Sequence, residues 1–335
     1  MIDNENCGNR LQNYALQEVL KQYNYDVYTI KNEKLLNWND RYLYSLLRVI
    51  KKHIKEFGKN KPFREFNKKI KFTKNYITIK NCNSYKNKFD IYVVGSDQIW
   101  KPTRKRMSFI DVLGFAEPNR RIAYAPSFGL DSIDNKYYKL LKNELPKFRA
   151  LSVREDAGKK IISDATNIDN VEVLVDPTML IEKEKWLTIA DESSFVQEKK
   201  FIFTYFLGDE DVEKLTKKFG NDYEIIDFYK NNFGPKEFLS LINNAELVLT
   251  DSFHACVFSI LFNKKFYIFE RKQKDCNNNM NSRIDTLCNK FSIDDRRIDS
   301  IDKINILDNL DYNLINKKLE HERKIAREYL KKNIM

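Results

Sequence analysis

Short apolar runs alternate with segments of helical periodicity along most of this chain, and the alternation predicts an α/β protein built on mostly parallel sheets. In the first half, residues 26–30, 90–94, 121–125, 150–153 and 171–175 read as strands. Helical patterns fall on a stretch that opens near 9–11 and closes at 16–23, and on 136–143 and 156–163. The turn at Asp176 and Pro177, with the charged stretch 182–200 behind it, marks a junction, after which a second α/β unit begins. Its expected strands are 201–206, 223–228, 246–249 and 265–269, and its expected helices 209–219, 235–243 and 253–262. A charged helix at 314–332 closes the chain. The resulting division is 1–180, 181–312 and 313–335.

Strand tips are where open α/β sheets place ligands. The run at 246–249 reads as a buried strand; Thr250, Asp251 and Ser252 supply capping chemistry; an apolar helix then opens at Phe253. His254, one of only three histidines, falls in that helix's first turn. Unpaired backbone N–H groups there attract anions and favour a neutral imidazole. The plain alternative is a histidine filling space behind a capped helix. In the first half, Gly95 ends a strand before Ser96, Asp97 and Gln98, which can bond sugar hydroxyls; alternatively they form a capped turn over Trp100. Arg154, at the 150–153 tip beside Glu155, suits bidentate binding of carboxylate or phosphate, or else a surface pair with Glu155. Gly8, Asn9 and Gln12 stand where a turn enters a helix, open to a phosphate or sugar.

Length and composition narrow the class. With 335 residues of which 42% are hydrophobic, the chain can bury one large core or two smaller ones. No apolar run nears the roughly 20 residues that span a bilayer, and no signal peptide is readable, so the protein is read as cytoplasmic. Five cysteines without metal-site spacing argue against zinc and against a disulfide framework. The net charge of +11 concentrates in 51–74, where ten Lys/Arg oppose two acids behind the helical apolar stripe of Leu43, Leu46, Leu47, Ile50, Ile54 and Phe57. That basic segment reads as a peripheral contact with the inner face of a membrane or an acidic acceptor, or as a solvated face whose stripe docks on its own domain. Nucleic acid is not expected, because no recognition motif accompanies the charge. The dinucleotide, P-loop, zinc-protease and nucleophile-elbow motifs are absent. The Asn-rich stretch 272–283 reads as a loop, either a lid or a solvated excursion.

Taken together, seven segments resemble the polysaccharide pyruvyl transferase family, in the family's order and over roughly residues 5–300. They are 8–17, 94–100, 127–129, 152–155, 176–178, 250–255 and 281–285. The resemblance implies two Rossmann-like domains facing across a cleft, as in the GT-B arrangement. It also implies transfer of pyruvate from phosphoenolpyruvate to sugar hydroxyls, giving a ketal in a polysaccharide or its lipid-linked precursor, with no further cofactor and no metal. On that reading His254 is the acid/base, with Asp97, Glu155 and Asp251 as secondary choices for orienting the acceptor or the histidine. Arg154 and Arg283 are the donor's cations. Gly8, Asn9, Gln12, Gly95, Ser96, Gln98, Ser127, Gly129, Glu155 and Ser252 line the substrates. The sequence departs from the pattern twice. The family's hydrophobic strand before the glycine turn is missing, so a first strand of the N-terminal domain is expected to be encoded upstream of Met1. Cys7 stands where an aromatic is expected. A nucleotide-sugar glycosyltransferase on the same architecture and a non-catalytic sugar- or membrane-binding protein are the competing readings.

Overall fold

The computed structural model describes residues 6–32, 61–102, 107–271 and 282–335. The helix expected around 43–57 and the loop at 272–281 lie outside the described residues. Helix α1 (Cys7–Lys21) is capped by Asn6, whose side chain accepts from the Asn9 amide. Strand β1 (Thr29–Asn32) pairs in parallel with β2 (Phe72–Ile77), which follows helix α2 (Lys61–Asn67). Strands β3 (Tyr92–Val94) and β4 (Arg121–Ala123) form a second parallel pair. Helix α3 (Tyr138–Glu144) then leads to β5 (Ser152–Val153), α4 (Asp156–Thr166) and β6 (Glu172–Val173), with β5 and β6 again parallel. A parallel bridge between Ile122 and Ala150 carries β4 across to β5.

Helix α5 (Lys183–Ala190) occupies the stretch read as a charged junction. Trp186, Ile189 and Ala190 supply it with a buried side, and Trp186 is fully enclosed. Beyond it lie β7 (Phe201–Tyr205), α6 (Val212–Phe219), β8 (Glu224–Asp227), α7 (Pro235–Asn244), β9 (Leu247–Thr250), α8 (Phe253–Leu261) and β10 (Phe266–Phe269). Helix α9 (Ser282–Phe291) and strand β11 (Arg297–Ile298) complete a five-stranded sheet of order β11-β10-β9-β7-β8, with every pairing parallel. Strands β7, β9 and β10 are buried at every position. Burial on both faces explains why they read as continuous apolar runs instead of alternating ones.

Helix α10 (Tyr312–Ile334) straps the molecule. Ile315, Leu319, Ala326 and Leu330 bury one side of it. Arg323 donates to the Met179 and Ile181 carbonyls and pairs with Glu182, while the Tyr329 hydroxyl reaches the Ala123 carbonyl at 2.8 Å. A single apolar cluster therefore runs from α1 through Leu174–Ile181 positions to β7, β9, α8 and α10. Within the basic segment, Phe63 and Phe66 are buried in that cluster. Lys68, Lys69 and Lys71 pair with Glu65, Glu192 and Asp26.

Strands β1 and β3 do not pair with each other, and neither has a second neighbour among the described residues. Between them lies a cavity of about 540 Å³, walled by Leu16 and Leu20 of α1, Ile30 of β1, Val93 of β3 and Phe115. Its far end reaches Asn9, Gln12 and Asp97, so it abuts the strand tips described next.

Candidate functional site

Because the pairings are parallel, the polar tips of β3, β4, β5, β7, β8, β9 and β10 all lie at carboxyl ends. At their centre is Asp176, fully buried just after β6. Its Oδ1 accepts from the Thr178 amide and hydroxyl. Its Oδ2 accepts from Ser96 Oγ at 2.6 Å and from Arg154 Nη1 at 2.8 Å, and lies 3.5 Å from His254 Nε2. Burial pushes this carboxyl up, but His254, Arg154 and Ser96 outweigh burial and hold it far below the usual carboxylate range. Asp176 is therefore an anion throughout the physiological range, and it faces the imidazole.

His254 is buried in the first turn of α8, and its Nε2 has no hydrogen-bond partner. Gly8 supports its other nitrogen: a Cβ there would lie 2.0 Å from Nδ1. The expected capping is built differently. Ser252 occupies the N-cap position without a side-chain bond, and Thr250 Oγ1 turns the chain by accepting from the Ser252 amide at 3.0 Å. Asp251 is also turned away from the imidazole. Its Oδ1 accepts from the Leu207 amide, and its Oδ2 accepts from the Gly208 amide and from Arg271 Nε, so it fixes the β7 tip and Arg271.

Asp97 accepts from Asn9 Nδ2 at 2.7 Å and from the Gln98 amide at 2.8 Å. Burial raises its carboxyl, but Arg154, His254, Asn9 and Gln98 together bring it below its ordinary value. Its φ of 85° is left-handed, a conformation that costs a non-glycine residue of order 1 kcal/mol and recurs at functional sites. Asn9 also accepts from Arg10 Nη1, and Gln12 Nε2 donates to the Asn9 carbonyl, so the α1 turn and the β3 tip form one network.

The β4 and β5 tips are joined by Glu155. Its Oε1 accepts from the Ser127 hydroxyl and from the Phe128 and Gly129 amides. Ser127, Gly129 and Glu155 thus build a turn whose donors are already engaged. Gly129 has a φ of 63°, and a Cβ on it would lie 2.4 Å from Gln98 Nε2. Gly95 lets Leu16 of α1 approach, since a Cβ there would lie 2.4 Å from Leu16 Cδ2.

Two guanidinium groups flank the Phe253 ring, Arg154 at 4.4 Å and Arg283 at 5.8 Å from its centroid. Both are buried. Arg154 Nε and Nη2, Arg283 Nε and Ser282 Oγ lack hydrogen-bond partners. Among the described residues no carboxylate forms an ion pair with Arg283. Burial, with Arg154 and Arg271 nearby, brings its guanidinium down to about 9. Buried, unpaired N–H groups of a charged side chain are costly unless an anion completes them. The arrangement can therefore receive a small, multiply charged anion beside the imidazole.

Of the residues singled out from sequence, Gly8, Asn9, Ser96, Asp97, Arg154, His254 and Arg283 converge here. Gln98, Ser127, Gly129, Glu155, Asp251 and Ser252 form the scaffold around them, and Gln12 and Gly95 position α1. Asp176, Phe253, Arg271 and Ser282 belong to the same site and were not singled out. Asp176 was visible only as part of a turn with Pro177 and Thr178. Among the described residues no group of three His, Cys, Asp or Glu could hold a metal ion, and no helix is long and apolar enough to cross a membrane.

The family pattern described as polysaccharide pyruvyl transferase matches residues 6–273. No curated protein matches the chain. Among solved structures, the wall teichoic acid polymerase TagF soaked with CDPG superposes with a TM-score of 0.30 at 14% identity, over 64% of this chain and 65% of the polymerase. A second TagF structure gives a TM-score of 0.29 at 14% identity, over 63% of this chain and 62% of that one. The chain thus spans less than two thirds of the polymerase, and superpositions this loose do not define a shared architecture.

Proposed function

The chain belongs to the polysaccharide pyruvyl transferase family, and from that premise we propose that it moves pyruvate from phosphoenolpyruvate to two hydroxyls of a sugar, forming a cyclic ketal. The observation that carries this reading is the set of buried, unpartnered donors on Arg154, Arg283 and Ser282 beside His254. Phosphoenolpyruvate carries its phosphate ester and its carboxylate on one carbon, and two guanidinium groups beside the Phe253 ring suit such a pair.

In the proposed reaction the methylene carbon of the donor takes a proton and becomes the ketal methyl. The adjacent carbon gains two bonds to sugar oxygens and loses its bond to phosphate; the second hydroxyl proton leaves with that phosphate. His254 is the proton carrier, and Asp176 holds it in orientation and stabilises its charged form. Asn9 and Asp97 face the acceptor. On this reading the chemistry is served by two Rossmann-like halves meeting at their strand tips in a GT-B-like cleft. The test is acceptor-dependent release of phosphate from phosphoenolpyruvate, with the ketal methyl followed by proton NMR against lipid-linked and nucleotide-linked sugars. His254→Gln is expected to lower the rate roughly 10²–10⁴-fold. Turnover of a nucleotide sugar instead, or activity indifferent to His254, refutes the proposal.

A further inference from the structure

We propose that Tyr229 is the platform on which the acceptor sugar lies, an inference that rests on the sugar-modifying reading above. Tyr229 follows β8 at the same carboxyl edge that carries His254 after β9, with only β7 between them in the sheet. Two strand spacings amount to about 10 Å, a gap that one pyranose ring with its exocyclic groups can bridge. The path is continuous. The Tyr229 ring stacks on Tyr205 at 5.4 Å and 27°, Tyr205 lies against Cys7, and the next residue, Gly8, backs His254.

The ring is held and yet open. Asp227 Oδ1 accepts from the Tyr229 amide at 3.0 Å, and the Asp227 carbonyl accepts from Asn231 Nδ2, which fixes the loop. Half of Tyr229 is exposed (50%), although its inner face is fully engaged by Tyr205. The other exposed tyrosines among the described residues, Tyr28 and Tyr76, carry the ammonium groups of Lys71 and Lys31 over their rings. Tyr229 has no such cover among the described residues. A bare aromatic face held rigid beside polar groups is suited to the C–H face of a sugar ring, which combines apolar contact with a positive edge. The hydroxyls of Tyr229 and of the buried Tyr205 also interact with each other, which fixes the outer ring on the inner one.

The experiment is saturation-transfer difference NMR with methyl glycosides of hexoses and N-acetylhexosamines, run without donor, on the protein and on Tyr229→Phe, Tyr229→Leu and Tyr229→Ala. Saturation of the sugar C–H protons is expected in the protein and in Tyr229→Phe, with at least a fivefold loss in both Tyr229→Leu and Tyr229→Ala. Thermal protection by phosphoenolpyruvate should be unchanged in all three variants, which also shows that they fold. Absence of transfer in the unsubstituted protein, an unchanged signal in Tyr229→Leu and Tyr229→Ala, or a loss in Tyr229→Phe equal to that in Tyr229→Ala overturns the proposal. Tyr229-dependent transfer with no protection by phosphoenolpyruvate and no phosphate release would instead leave the platform standing and remove the pyruvyl donor.

Discussion

Replacing Arg283 by methionine should make the ligand-free protein more stable while nearly abolishing its grip on phosphoenolpyruvate. Burial beside Arg154 and Arg271 lowers the guanidinium to about 9, a shift that disfavours its charged form in the folded protein. Methionine keeps most of the volume against Phe253 and removes the buried charge; replacing whole buried ion pairs by apolar residues stabilises by about 1–4 kcal/mol, and removing this lone charge should act in the same direction. The folded value lies below the unfolded one, so the unfolded state binds more protons between the two. Stability of the unsubstituted protein therefore climbs as pH rises through about 9, and the advantage of Arg283→Met is full below about pH 9 and shrinks above it. Urea unfolding followed by circular dichroism, at pH 7.5 and pH 9.5 and with or without phosphoenolpyruvate, measures each part. The donor should protect the unsubstituted protein and barely protect the variant, since losing a charge-assisted pair costs on the order of 2–3 kcal/mol, or about 30–150-fold in affinity. A variant that is less stable without ligand, yet still protected by phosphoenolpyruvate, would refute the idea that Arg283 is a cation waiting for an anion.

Gly8→Ala places a methyl group 2.0 Å from His254 Nδ1, so the imidazole must move. Phosphate release should fall roughly 10²–10⁴-fold, as for loss of the acid/base itself, while protection by phosphoenolpyruvate persists; equal turnover in steady-state kinetics would refute it. Asp176→Asn leaves Arg154 without its buried carboxylate and should cost about 3–5 kcal/mol at pH 7 in urea unfolding. Because the Asp176 carboxyl is lowered on folding, its contribution is present above about pH 4 and lost as pH falls below that, so the difference between the two proteins should narrow in acid.

The second sheet was legible because its central strands are buried on both faces, and the runs at Phe201–Tyr205 and Leu247–Thr250 leave few alternatives. Strand β2 was not legible. Its burial pattern has only two fully buried positions, and Lys74 and Asn75 break any alternation, so pairing with β1 decides it rather than its own sequence. The expected strand at 26–30 settles at Thr29–Asn32 for the same reason, its register being set by a partner some forty residues away. Strand β11 has only two residues, too few to show a period, and α9 was masked by the polar stretch preceding it. In the site, His254 and Arg154 could be named from strand-tip position alone. Asp176 could not, because its role comes from partners that the fold brings from 22, 78 and 80 residues away. Glu155 and Asp251 likewise take part of their roles from the fold, since Glu155 Oε1 and the Asp251 carboxylate accept from backbone amides that sequence alone does not place beside them.

The space between β1 and β3 makes this half of the molecule an unclosed zipper. Two strand edges without a second neighbour among the described residues face one cavity of about 540 Å³, lined by both apolar and polar side chains, and such edges are templates for a further strand. An extended apolar segment entering it would extend the sheet on both sides at once, whether it came from the same polypeptide or from a neighbouring copy. Because Asn9 and Asp97 lie at one end of that slot, filling it would also stiffen the turn on which the acceptor side of the site is built. Closure of the sheet and the order of that turn would thus be coupled through Asn9 and Asp97.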